Sequence, residues 1–162
     1  MTHAELSFSS AGDRCRAWHF VAAADDFAGP AGRPVVVMAH GFGGTKDSGL
    51  EPFAERFSAA GLDVVAFDYR GFGASDGQPR QSVSVDRQLA DYGAAVAAAQ
   101  ELPGVDRTRL VLWGSSFSGS HVLRVAARCA DVAAVIGMTP LTSGLAASRA
   151  AVAHRDVASA LR

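Results

Sequence analysis

The sequence predicts an α/β domain whose doubly wound, mainly parallel sheet holds about six strands. Three observations carry this. The runs PVVVMA, LDVVAF and VAAVIGM are apolar throughout, the mark of strands buried on both faces. Between such runs lie segments whose apolar residues recur at helical spacing. The first three parallel strands each end at an unusual loop rich in glycine or serine: HGFGGTK, DYRGFGASDG and GSSFSG.

Taken in order, ELSFSS and CRAWHFVAA alternate loosely and read as two antiparallel strands joined at AGDR. DDFAGPAGRP is a turn-rich connection. Val35 to Ala39 then form a central parallel strand that stops abruptly at HGFGG. From Glu51 to Ala60 the residues Phe53, Ala54, Phe57 and Ala60 fall at helical spacing, and Gly61 suits the position just past the helix end. Ser48 to Glu51 has a capping-box pattern, but Pro52 prefers the first helical position, which favours the later start. LDVVAFDYRG is a second buried strand. SVDRQLADYGAAVAAAQ reads as an amphipathic helix inward through Val85, Leu89, Tyr92 and Val96, and TRLVLWG as a third parallel strand. SGSHVLRVAARCA makes a short helix with Val122, Val125, Ala126 and Cys129 inward. VAAVIGM is the fourth parallel strand, and LTSGLAASRAAVAHRDVASALR is alanine-rich and helical. At 162 residues, without internal repeats, the chain suits a single domain over 1–162.

Composition narrows the function classes. Hydrophobic residues make up 49% and charged residues 19%, with a formal net charge of -1, so no electrostatic bias points to nucleic acid or an anionic membrane. No apolar run approaches the roughly 20 residues of a bilayer span, and MTHAELSFSS lacks a basic-then-apolar leader pattern, so a soluble cytoplasmic protein is expected. Cys15 and Cys129 lie far apart, outside metal-ligand spacing, which argues against a disulfide framework or a zinc site; Cys129 is expected to fill core. GFGGTK fails the phosphate-loop pattern because Thr45 precedes Lys46, and GFGASDG lacks the third glycine of a dinucleotide fingerprint. No cofactor is expected.

Ligands of such sheets bind beyond the carboxyl ends of the strands, so the three loops are where chemistry is sought. In LWGSSFSG a strand runs into a tight turn bearing Ser116 and then into a helix, the arrangement of a nucleophile elbow. Strand and helix nearly touch in such a turn, so its neighbours must be small. Gly114 meets this two residues before Ser116. Ser118 stands two residues after, where glycine is usual, with Gly119 next. The elbow would aim the Phe117 N–H at the charge developing beside Ser116. HGF, after the neighbouring strand, would offer the Phe42 N–H as the second donor of an oxyanion hole. His40 reads as holding that loop. Trp18 and Trp113 read as core, Trp113 beneath the elbow, while Phe72 and Phe117 either line an acyl pocket or cap the core.

The stretch PVVVMAHGFGGTKDSGLEPFAERFSAAGLDVVAFDYRGFGASDG, followed by GVDRTRLVLWGSSFSGSHVL, resembles the α/β-hydrolase superfamily, in particular bacterial dienelactone-hydrolase-like and serine-aminopeptidase-like members. The resemblance implies Ser116 as nucleophile, with Phe117 and Phe42 as oxyanion donors, in an incomplete hydrolase fold that lacks the family's last two strands. The family's acid and histidine follow those strands. After Ser116 the sequence holds His121, carried away along the helix, and His154, two residues before Asp156 and the weak candidate for a base. Asp68 and Asp76 belong to the DYRGFGASDG loop, where Asp68 braces the turn or pairs with Arg70. VAAVIGM would become an edge strand, which a second copy covers in a homodimer, the last helix covers imperfectly, or which leaves the chain marginally stable. Two functions follow: a metal-free serine hydrolase acting on a small-molecule ester through an acyl-enzyme at Ser116, or a catalytically impaired hydrolase-like module used for binding.

Overall fold

The computed structural model describes residues 3–153, and of residues 150–153 only the backbone. The elements run β1 (Ala4–Ser10), β2 (Asp13–Phe20), β3 (Arg33–Ala39), α1 (Glu51–Ala59), β4 (Asp63–Phe67), α2 (Val85–Gln100), β5 (Val105–Ser115), α3 (Phe117–Ala126), β6 (Val132–Met138) and α4 (Gly144–Ala153). The six strands form one sheet in the order β1-β2-β4-β3-β5-β6. β1 and β2 pair antiparallel, β2 joins β4 antiparallel, and β4, β3, β5 and β6 are mutually parallel.

Alternation along the central strands feeds two cores. Val35, Val37 and Ala39 face the side covered by α2 and α3, where Tyr92, Ala95, Val96, Ala99, Val122 and Val125 pack. Val36 and Met38 face the other side, against Leu50 and Ala54 at α1, together with Trp18, Phe20 and Trp113. All five β3 residues Val35–Ala39 are fully buried. That explains why the run carries no polar alternation: each buried aliphatic side chain is worth about 1.5–3 kcal/mol relative to exposure, and both faces claim it.

The chain leaves β3 toward β4 through α1 on one face and returns over β3 to β5 through α2 on the other. Loops after β3 and β5 therefore diverge, and the crevice between their carboxyl ends is the switch point of the sheet.

Several local expectations change. α1 starts at Glu51 with Leu50 as cap, Pro52 in the first turn and no side-chain cap; Ser48 instead accepts from the Thr45 amide at 3.1 Å. α2 starts as expected, with Ser84 accepting from the Arg87 amide. Its inward face is broader than expected: Tyr92 and Val96 are buried and half-buried Leu89 packs against the core as expected, but Gln88, Asp91, Ala95 and Ala99 are buried too, while Val85 is only half-buried. The reason is polar. Asp91 accepts from Ser10 Oγ at 2.7 Å and from the Arg70 amide and Nε at 3.0 and 2.5 Å, so a carboxylate is drawn under the helix by partners from β1 and from the loop after β4. Cys129 sits half-buried at the rim of the core and does not fill it, whereas Cys15 is fully buried.

β6 occupies the sheet edge as expected. Ala133, Ala134, Ile136 and Gly137 are exposed, and α4, itself exposed from Gly144 through Arg149, does not cover them. Among the described residues no helix is long and apolar enough to cross a membrane.

Candidate active site

Ser116 lies between the last residue of β5 and the first of α3, with φ +52° and ψ -109°. A non-glycine residue held there is strained, at a cost on the order of 1–3 kcal/mol, and persists only where its surroundings over-determine it. Those surroundings are visible. The Ser116 amide donates to the Met138 carbonyl at 2.8 Å, and the Leu141 amide donates to the Ser116 carbonyl at 2.9 Å, so the turn is sewn to the segment after β6. That segment carries a second strained residue, Thr139, at φ +42°.

The glycines around this turn are required by contact. A Cβ at Gly114 would run into the Ser118 carbonyl and come within 2.8 Å of the Gly119 nitrogen. One at Gly119 would lie 3.0 Å from Pro140 Cα. Across the crevice, a Cβ at Gly41 would lie 3.3 Å from both the Ser115 carbonyl oxygen and Ser116 Cβ, so the loop after β3 abuts the serine directly.

Phe42 and Phe117 flank Ser116 from these two loops, and their rings meet edge to face with centroids 5.8 Å apart. Phe117 opens α3, where first-turn amides have no helical carbonyl to bond. Phe42 follows Gly41 in a turn closed by the Gly44 amide on the Gly41 carbonyl at 3.3 Å. A hollow of about 190 Å³ opens beside this loop, lined by Phe42, Leu50, Phe53, Trp113, Ser115 and Met138 among others. A second hollow of about 330 Å³ lies beyond Phe117, between α3 and the segment after β6, and includes Leu123, Leu141 and Arg124. Phe72 lines neither hollow; it is buried, packs on His40 with centroids 5.7 Å apart, and so caps the core.

His40 holds its loop. It is buried, its Nδ1–H donates to the Gly41 carbonyl at 2.9 Å, and its Nε2 is buried without a hydrogen-bond partner. Burial pushes its pKa below the usual histidine value, which keeps the ring neutral. His121 is a packing residue: its Nε2–H donates to Gln88 Oε1 at 2.9 Å and its ring lies 4.6 Å from that of Phe117. Burial, with Arg124 nearby, lowers its pKa to about 4. The hydrogen bonds of both rings go elsewhere, His40 to Gly41 and His121 to Gln88. His154 lies outside the described residues.

Ser118 is fully buried and has polar work that glycine could not do. Its hydroxyl donates to the His40 carbonyl, and the Tyr69 hydroxyl meets it at 2.6 Å. Nothing about its position in the sequence signals this, because Ser118 and His40 are 78 residues apart.

Asp68 braces the loop after β4, but its ionic partner is Lys46 and not Arg70. Asp68, fully buried, accepts from the Lys46 amide at 2.6 Å, from Lys46 Nζ at 2.9 Å and from the Ala74 amide at 3.0 Å. Lys46 Nζ also lies 4.8 Å from the centre of the Trp18 ring. Asp76 remains at the loop's end, its amide donating to the Arg14 carbonyl. Among the described residues, no group of three or more His, Cys, Asp or Glu side chains is placed to hold a metal ion.

Residues 30–161 match the family profile described as serine aminopeptidase, S33. Over 117 residues the chain is 50% identical to the quorum-quenching protein AidA of Acinetobacter baumannii, covering 72% of this chain and 38% of that protein. It is 38% identical over 115 residues to thiohydrolase aneE of Aspergillus aculeatus, covering 71% of this chain and 36% of the relative. Among solved structures, the α/β hydrolase GrgF of Penicillium sp. sh18 superimposes with a TM-score of 0.79 at 32% identity, covering 99% of this chain and 55% of that one. Est1E of Butyrivibrio proteoclasticus, with ferulic acid bound, shares the fold at a TM-score of 0.76 and 23% identity. The chain thus spans less than two fifths of the length of these curated relatives and about half of the solved chains.

Proposed function

We propose, for a chain that belongs to the serine aminopeptidase S33 family of α/β hydrolases, that Ser116 is the nucleophile of a carboxylic-ester hydrolase. The observation that carries this reading is the strained backbone of Ser116 between β5 and α3, pressed against the loop after β3 at the sheet's switch point. Strain of this kind lifts a side chain clear of the sheet, which is what a nucleophile elbow requires.

In this reading Ser116 Oγ bonds to the ester carbonyl carbon while its proton passes to a base. The carbonyl electrons become an oxyanion, stabilised by the Phe117 and Phe42 amides. The carbon–oxygen bond to the alcohol then breaks, and the alcohol leaves carrying a proton. Water attacks the acyl-enzyme, the acid departs, and Ser116 regains its hydrogen. The described residues are assigned the nucleophile and the charge-stabilising half of this scheme; proton transfer is not assigned to His40 or His121, whose bonds and lowered pKa values suit them to other work. The hollow beside Phe42, walled in part by Leu50, Phe53, Trp113 and Met138, suits an apolar acyl group, and one relative is named a thiohydrolase.

A fluorophosphonate probe tests the reading. Peptide-level mass spectrometry should find the phosphonyl group on Ser116, and Ser116→Ala should abolish labelling. Folded protein that stays unlabelled at Ser116 overturns it.

A further inference from the structure

We infer that Ser118 is a positioning residue that locks the two amide donors of the oxyanion hole into one rigid frame. The inference rests on Ser116 being the nucleophile and names how its site is held.

The number of protons available fixes the direction of each bond. A hydroxyl has one hydrogen to give, and the His40 carbonyl can only accept, so the Ser118 hydroxyl donates to His40. The Tyr69 hydroxyl, 2.6 Å away, must then donate to Ser118 Oγ. Burial keeps Tyr69 protonated far above its usual range, so the donor is always present. One residue on, the His40 Nδ1–H donates to the Gly41 carbonyl. That carbonyl and the Phe42 N–H belong to the same planar trans peptide and point in opposite directions. Fixing the carbonyl therefore fixes the direction of the Phe42 N–H.

The other end of the relay is equally rigid. Ser118 follows Phe117 in the first turn of α3, so its hydroxyl and the Phe117 amide move as one body. A relay from Tyr69 through Ser118 and His40 to Gly41 consequently sets Phe42 N–H relative to Phe117 N–H, with every group in it buried except the Gly41 peptide itself. Glycine at this position would keep the turn compact but leave the His40 carbonyl and the Tyr69 hydroxyl without these partners and remove the buried hydrogen bond that ties the two loops together.

The test separates oxyanion placement from folding and from the supply of a base. In a Ser116→Cys background the thiol is nucleophilic without an assisting base, so the rate of acylation by p-nitrophenyl acetate can be compared with that of alkylation by iodoacetamide. Both are read at residue 116 by mass spectrometry. Acylation passes through an oxyanion and alkylation does not. Adding Ser118→Ala should lower acylation by about tenfold or more while alkylation stays within about twofold. Tyr69→Phe, which spares the Ser118–His40 bond, should lower the ratio by about threefold and carries the test if Ser118→Ala does not fold. An unchanged ratio, whether both rates hold or both fall together, overturns the inference. Failure of the nucleophile assignment shows separately, as absent phosphonylation of Ser116 in the unmodified chain.

Discussion

The two sides of Ser116 are built on opposite terms. Toward β3 and β4, each loop is tied down by buried polar groups: Lys46 to Asp68, Arg70 to Asp91, Ser118 to His40 and Tyr69. Toward β6 and α4, the turn is held by backbone bonds at Met138 and Leu141 and by Ser120 on the Leu141 carbonyl, and beyond them the side chains from Thr142 through Arg149 are exposed. The contrast teaches that the part of the site expected to stabilise charge is pre-set by interior electrostatics, while the side beyond Leu141 is set by little more than chain connection.

The sharpest way to break this contrast is to remove Asp68. Asp68→Ala leaves the buried Lys46 ammonium with only the exposed Asp47 carboxylate, 3.9 Å away, and two loop amides without their acceptor, a loss expected to reach about 3–5 kcal/mol. Urea unfolding should show the midpoint collapse; a loss near that of a surface substitution would mean the pinned side is not pinned by charge.

Acid probes the buried histidines more gently. His40 and His121 stay neutral in the fold below the pH at which unfolded histidines protonate. Over the window from about 6.5 down to about 4 for His121, the unfolded state therefore binds more protons, and stability falls as pH falls. The urea midpoint should drop steadily through that window, and His121→Phe should flatten the dependence. An equally steep curve in that variant would place the acid sensitivity elsewhere.

The smallest effect belongs to the far side. Ala134, exposed on β6, should accept lysine with a change within about 0.5 kcal/mol by the same urea assay. A large loss there would erase the contrast by showing that the edge is as demanding as the loops.

Most of the fold is legible in the sequence because apolar runs and helical spacing are local signals. VVVMA reads as a strand with both faces covered, and the helical spacing in SVDRQLADYGAAVAAAQ marks α2. The strained turn at Ser116 is legible for the same reason: Gly114, Ser116 and Gly119 lie within a few residues, and the crowding that demands small neighbours is local. What stays hidden depends on partners far along the chain. Lys46 and Asp68 are 22 residues apart and Ser10 and Asp91 are 81 apart, and no pattern in either neighbourhood announces the other. The inward face of α2 is legible only in part on this account: Leu89, Tyr92 and Val96 follow the hydrophobic spacing, whereas the burial of Asp91 against Arg70 and Ser10 does not. Ser118 is legible as a departure from the usual glycine, and its use is not.

The backbone of Ser116 has a consequence for how the chain can change. A left-handed residue is most at ease as glycine, so Ser116→Gly would relax the turn and firm the whole domain while deleting the hydroxyl proposed as nucleophile. On that proposal stability and reactivity pull in opposite directions at one side chain, and the sturdier variant is the inert one.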